Sequence, residues 1–213
     1  MISGDPHFRT FDGKHFFFEG HCEYTVMMPK TPSFNQDLSS VPYPVVVSVK
    51  NRYCDSLTDI ICSKRINVIL GSDMLQTTIR MESMDAVFID NSRVSLPVER
   101  NRGALYTLNM ASTSLLQLKT NTGFKLLWDG ASRVEIVVSK MYKNQVMGMC
   151  GNYNGNGNDD SLTADGEDIK DEAKFAERWK VNSDCDSKTN FEYRGACARS
   201  PSYAKYALKT CVD

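Results

Sequence analysis

Between Lys14 and Arg133 the chain is a succession of short β-type runs separated by turn residues, and this rhythm limits the fold more than any other feature. His15 to Met28 is aromatic and β-branched, with a break at Gly20. Pro44 to Lys50 reads Pro-Val-Val-Val-Ser-Val-Lys. Ile66 to Leu70 and Met74 to Met81 flank Gly71-Ser72-Asp73, a hairpin signal. Ala86 to Ile89, Val94 to Val98, Leu105 to Leu108, Leu115 to Leu118, Phe124 to Trp128 and Val134 to Val138 complete the series. About ten strands at roughly 8–12-residue spacing predict an antiparallel sandwich or barrel-like β domain. Val134-Glu135-Ile136 and Leu105-Tyr106-Thr107-Leu108 alternate as sheets with one buried face do. There is no βαβ rhythm and no nucleotide-binding glycine loop.

After residue 160 the period changes. Asp168 to Val181 carries Ile169, Ala173 and Ala176 at helical spacing, extended by Phe175 and Trp179, which predicts one short helix packed on the sheet through Trp179. Residues 183–213 are polar, with three of the cysteines and a second helical pattern around Tyr203 to Lys209.

The chain has 213 residues and a net charge of −1 without long like-charge runs, so neither nucleic acid nor an anionic membrane is an expected partner. No apolar stretch approaches the ~20 residues of a membrane span. Met1 is not followed by a signal segment, and the chain reads as a module of something longer. Seven cysteines (Cys22, Cys54, Cys62, Cys150, Cys185, Cys197 and Cys211) form no C-x-x-C pair, and their scatter suits an oxidised extracellular framework. The count is odd, so at least one thiol lacks a partner within these residues.

The segment Cys150-Gly151-Asn152-Tyr153-Asn154-Gly155-Asn156-Gly157-Asn158-Asp159-Asp160 sets oxygens at alternating positions on a glycine-loosened loop. Calcium needs six to eight oxygen ligands, and such a loop supplies them; an ordinary solvated turn uses the same residues. His7, His15 and His21 lie close in sequence, but Gly13 and Gly20 interrupt a common strand face and no H-E-x-x-H pattern follows, so surface or turn histidines are expected rather than zinc ligands. Phe16-Phe17-Phe18 reads as core-facing strand. Lys50, Arg52, Lys64 and Arg65 form either a basic patch or solvated strand ends. No Gly-x-Ser-x-Gly elbow occurs.

The opening Gly4-Asp5-Pro6-His7-Phe8-Arg9-Thr10-Phe11-Asp12-Gly13, followed by Phe18, Gly20, Cys22 and Tyr24, resembles the start of the von Willebrand factor type D domain. Trp128-Asp129-Gly130, Gly148-Met149-Cys150-Gly151-Asn152-Tyr153-Asn154-Gly155, Asp159-Asp160, Asp165-Gly166, and Phe175-Ala176 with Trp179 before Cys185 follow in the family's order. The resemblance covers about 1–185. It implies a domain over 1–182, with 183–213 a cysteine-containing extension that caps it or begins a C8-like module.

The resemblance also implies bridges Cys22–Cys185 and Cys54–Cys62, with Cys197–Cys211 left over. In the family pattern the partner of Cys150 lies upstream of the Gly-Asp-Pro-His motif, which leaves Cys150 unpaired here. Multimer-forming relatives carry Cys-Gly-x-Cys where this chain has Met147-Gly148-Met149-Cys150, and the partner of the missing cysteine is absent near Thr31 as well. Covalent multimerisation by exchange between vicinal thiols is therefore not expected. The implied calcium ligands are Asp12, Asn152, Asn154, the carbonyl of Asn156, Asp159 and Asp160. In some relatives the Asp5-Pro6 bond cleaves itself, with His7 placed to assist; the alternative is that Asp5 and His7 merely bond the first turn.

The expectation is an all-β fold: an antiparallel β-sandwich of about ten strands with a short C-terminal helix, disulfide-braced, plus a small cysteine-containing tail. Its expected role is that of a non-enzymatic, secreted or matrix module, stabilised by Ca2+, that contacts an extracellular protein or another copy of the parent chain. A binder of a secreted growth factor of the bone morphogenetic protein type, and a module of a lipid carrier, are the alternatives.

Overall fold

The computed structural model describes residues 1–3, 7–30, 43–53, 61–71, 76–102 and 104–185, with backbone only at 3, 53, 61–63, 100–102, 104 and 105. The expected Cys54–Cys62 and Cys197–Cys211 bridges, the helical pattern near Tyr203 and the Asp5-Pro6 bond lie outside the described residues.

The strands are β1 (Ile2–Ser3), β2 (His7–Arg9), β3 (His15–Phe17), β4 (Glu23–Pro29), β5 (Val45–Tyr53), β6 (Ile61–Leu70), β7 (Thr77–Met81), β8 (Val87–Ile89), β9 (Ser92–Val94), β10 (Val98–Arg102), β11 (Ala104–Ser112), β12 (Leu115–Thr120), β13 (Phe124–Trp128), β14 (Val134–Val138) and β15 (Val146–Met147). An eight-stranded sheet has the order β10-β11-β12-β13-β14-β1-β2-β3, and a seven-stranded sheet the order β15-β4-β5-β6-β7-β8-β9. All pairings are antiparallel, and buried residues of both sheets share one core, as a sandwich requires.

The expectation of about ten strands is corrected to fifteen among the described residues. β1, β2 and β15 have three residues or fewer, too short to show a period in sequence. The aromatic run from His15 is two strands rather than one: β3 belongs to the larger sheet and β4 to the smaller. The chain changes sheets at the Gly20 break. A Cβ on Gly20 would lie 2.4 Å from both the Phe18 ring and the Tyr24 hydroxyl, so only glycine lets the backbone pass there.

Alternation does the rest. In β13 and β12 every second side chain is buried, and Phe124, Leu126, Trp128, Leu116 and Leu118 share one core with Val47, Val49, Ile66 and Val68 of the other sheet's strands. Each such side chain contributes roughly 1.5–3 kcal/mol on removal from water. Lys64 and Arg65 are neighbours on β6 and so point to opposite faces. Lys64 is fully buried and donates to Asn51 Oδ1 at 3.1 Å, while Asn51 Nδ2 donates to the Gly20 carbonyl at 2.8 Å. Arg65 faces outward beside Glu23 and Glu82. A single basic patch including Lys64 is thereby corrected.

The helix α1 (Glu172–Glu177) is shorter than the expected Asp168 to Val181. Asp171 caps it by accepting from Lys174 N at 2.9 Å, and strand-like pairing takes over beyond its far end, where Lys180 bridges Tyr24 and Val181 N donates to the Glu23 carbonyl. Phe175 meets Phe16 edge-on at 5.9 Å, and Glu172 Oε2 accepts from Phe17 N at 3.0 Å, covering the open edge of β3. Trp179 is buried, and its carbonyl accepts from Thr25 N at 2.7 Å. Beyond it, Cys185 closes the expected bridge to Cys22 across 163 residues.

Candidate functional site

The turn joining β2 to β3 lifts Asp12 out of the sheet. Gly13 takes φ +90° to make that turn, and Lys14 N donates to Thr10 Oγ1 across it at 2.9 Å. Phe11 N donates to the Cys150 carbonyl at 2.9 Å, which lays the turn against the start of the Asn-rich loop. The Asp12 carboxylate then accepts from Asn154 N and Gly155 N, each at 2.9 Å. Two segments some 140 residues apart in sequence meet at one carboxylate.

Within the loop the asparagines build successive turns. Asn154 N donates to Asn152 Oδ1 at 3.0 Å, Asn156 N to Asn154 Oδ1 at 2.6 Å, and Asn158 N to Asn156 Oδ1 at 3.2 Å. Each side chain thus folds back on the amide two residues on, which is why Asn at alternate positions curls the chain. The amide groups of Asn152 and Asn154 donate to the two oxygens of Asp159 at 3.2 and 2.7 Å. Gly157 lies over Asp12, where a Cβ would come within 3.0 Å of the Asp12 carbonyl.

Asp160 is 2% exposed. Its Oδ1 accepts from Asn152 N at 3.2 Å, and Thr10 also bonds the carboxyl, but Oδ2 is buried without a hydrogen-bond partner. Burial raises its pKa above the ordinary carboxylate range, opposed by the Thr10 and Asn152 bonds and reinforced by the charges of Asp12 and Asp159. An orphaned carboxylate oxygen in an acidic cluster of hard oxygen donors suits a hard divalent cation.

Of the six expected ligand residues, Asp12, Asn152, Asn154, Asp159 and Asp160 share one hydrogen-bonded cluster. Asn156 joins it through its amide, while its carbonyl accepts from Asp159 N at 3.4 Å. Among the described residues, the one set of three His, Cys, Asp or Glu ligand atoms within 4.8 Å of one another is His21, Cys22 and Cys185, so the three loop carboxylates do not converge that closely. Thr10, Lys14 and Ser161 were not expected at the site. Thr10 and Ser161 are buried, and Lys14 Nζ donates to Ser161 Oγ, pinning the turn to the loop's far end. Only buried polarity marks them, and sequence does not display that.

The three histidines do not converge. His7 and His15 are exposed on β2 and β3, with His7 edge-on to Phe17 at 5.4 Å, whereas His21 is partly buried beside the Cys22–Cys185 bridge. Cys150 is a free, buried thiol whose pKa is raised, by burial first. Around it, β15 pairs Met147 with Met28, and Gly148 at φ +135° passes so close to β4 that a Cβ would lie 2.6 Å from the Val26 carbonyl.

The model of the family described as the von Willebrand factor type D domain matches residues 1–167. The chain is 29% identical to von Willebrand factor of Bos taurus over 212 residues, covering 100% of this chain and 21% of that protein. It is 32% identical to zonadhesin of Mus musculus over 181 residues, 85% of this chain and 3% of that protein. It is 30% identical to mucin-2 of Homo sapiens over 211 residues, 99% of this chain and 4% of that protein. The chain therefore spans about a fifth or less of these relatives' lengths.

Proposed function

The chain belongs to the von Willebrand factor type D domain family, and from that premise we propose that it is a calcium-stabilised, non-catalytic module presenting a rigid surface to another extracellular protein or to another copy of its parent chain. The relatives, von Willebrand factor and mucin-2 among them, are extracellular multidomain proteins of structural rather than enzymatic type, and this chain is extracellular likewise. No described helix is long and apolar enough to cross a membrane.

What carries the calcium reading is the buried, unpartnered Oδ2 of Asp160 in a cluster with Asp12 and Asp159. Three like charges in partial burial repel, and a divalent cation neutralises two of them. Asp12, Asn152, Asn154, the Asn156 carbonyl, Asp159 and Asp160 would hold the ion, which would supply charge neutralisation and loop order. The protein's own part is already visible in the hydrogen bonds that gather these residues: less ordering remains for binding to oppose. A rigid loop fastened to the first hairpin keeps the adjoining surface in one shape for a partner.

The test is thermal unfolding of the oxidised protein in chelator and in excess Ca2+, alongside calorimetric titration. At calcium one hundred times its dissociation constant, stabilisation of about 2.7 kcal/mol is expected. Identical melting in both conditions, with no heat of binding, would sink the reading. Light scattering of the purified chain then separates self-association from capture of a different extracellular protein.

A further inference from the structure

A second cluster gathers metal-ligating atoms outside the acidic loop. A ring nitrogen of His21 and the sulfurs of Cys22 and Cys185 lie within 4.8 Å of one another. Cys22 is fully buried; His21 and Cys185 are partly so. In the oxidised protein the two sulfurs are joined to each other and offer no thiolate. We propose that reduction of the Cys22–Cys185 bridge turns this brace into a Zn2+ site, with His21, Cys22 and Cys185 as its protein ligands and water as the fourth.

The chemistry balances with a thiol reductant. Two reductant thiols give up two electrons and two protons and become a disulfide, while the Cys22–Cys185 bond becomes two thiols. Zn2+ then displaces both protons to form two zinc–thiolate bonds, and neutral His21 contributes a nitrogen lone pair. A ligating imidazole uses one nitrogen on the metal and leaves the other for a neighbour.

The backbone keeps the ligands together once the S–S bond is gone. Val181 N donates to the Glu23 carbonyl at 2.8 Å, Thr25 N to the Trp179 carbonyl at 2.7 Å, and Lys180 Nζ to the Cys185 carbonyl at 3.0 Å. The first two bonds dock the segment before Cys185 beside the start of β4, and the third ties Cys185 back to Lys180 within that segment. A tetrahedral zinc with Zn–S near 2.3 Å needs its two sulfurs about 3.8 Å apart. Breaking the S–S bond frees the two side chains to turn apart to that separation, with the His21 nitrogen within 4.8 Å of both sulfurs at the start. A bound ion would close the same 163-residue loop as the disulfide, leaving the strap fastened in either redox state.

Co2+ serves as the spectroscopic probe for zinc on the full 213-residue chain, reduced with a phosphine under argon. The expected result is one equivalent of cobalt with a thiolate-to-cobalt charge-transfer band and tetrahedral visible bands, absent from the oxidised chain. Cys185→Ser should abolish the band's saturation at one equivalent, and His21→Gln should weaken binding by at least about tenfold. A band that is absent, or identical in both variants because the remaining cysteines supply it, overturns the proposal. Circular dichroism covers loss of fold on reduction: recovery of the β spectrum on adding cobalt supports the site, and a chain that stays unfolded with cobalt overturns it.

Discussion

The Asp12 carboxylate lies under the backbone of Asn154, its Oδ2 accepting that residue's amide at 2.9 Å, while its Oδ1 accepts from Gly155 N. One side chain on the first hairpin thus terminates a loop that begins after the last long strand. Asp12→Ala removes both acceptors. A loss of about 2 kcal/mol is expected in chelator, with the calcium-dependent gain lost as well, both read by urea unfolding. Asp12→Asn retains one acceptor oxygen and should fall between.

Asp160 makes a prediction of opposite sign. Its folded pKa is raised, so the native state binds a proton more readily than the unfolded chain. Stability in chelator should then fall as pH rises from the ordinary carboxylate value of about 3.9 through the raised one. Asp160→Asn should flatten that slope and leave the chelated protein as stable as, or more stable than, the parent. In calcium the same variant should lose the ion's stabilisation. Chemical denaturation between pH 4 and pH 7, with and without Ca2+, checks both halves.

Two glycines of the loop separate backbone strain from steric conflict. Gly151 and Gly155 both have positive φ, at +83° and +97°. A Cβ on Gly151 would lie 2.1 Å from Asp160 Oδ1, whereas on Gly155 it would meet nothing within 4 Å. Gly155→Ala should cost roughly 1–2 kcal/mol, the left-handed strain alone. Gly151→Ala should cost clearly more and weaken calcium binding, because it moves Asp160. Equal effects would contradict the assigned packing.

Opening the long brace should be expensive. Cys22→Ser leaves 163 residues unclosed, and the chain-entropy relation gives a loss of about 5 kcal/mol. Guanidinium unfolding under non-reducing conditions measures it.

Cys150 should be inert while the protein is folded. The thiol is buried and its pKa raised by that burial, so little thiolate is exposed to an alkylating reagent at pH 8. Because the folded pKa lies above the ordinary thiol value of about 8.5, its contribution to stability is complete below that pH and is lost as pH rises through the folded value. Mass spectrometry after iodoacetamide treatment, native against denatured, should show modification of Cys150 only when denatured.

Strands long enough to repeat a period were readable in the chain: β5, β12, β13 and β14 fall on runs whose alternation is plain. β1, β2 and β15 were not, since pairing with a neighbour, as Ile2 with Val134, creates them. The helix was overestimated for a related reason. Ile169 and Trp179 keep helical spacing, but the backbone bonds of Ile169 to Ser161 and of Val181 to Glu23 outcompete further helical turns. Lys64 looked like surface because lysine usually is, and its burial follows from its register with Asn51.

Sequence by itself determined the β class and the loop's oxygen-rich chemistry, because composition, local period and turn residues act over short stretches of chain; the Cys22–Cys185 brace, spanning 163 residues, followed only from the family resemblance. Only the tertiary structure decided that the Asp12 carboxylate accepts from the Asn154 amide, that Asp160 Oδ2 is buried without a partner, and that His21 stands beside the disulfide. Those relations depend on how two sheets pack across distances no local pattern encodes, and there burial, rather than residue type, sets the energy of a charge.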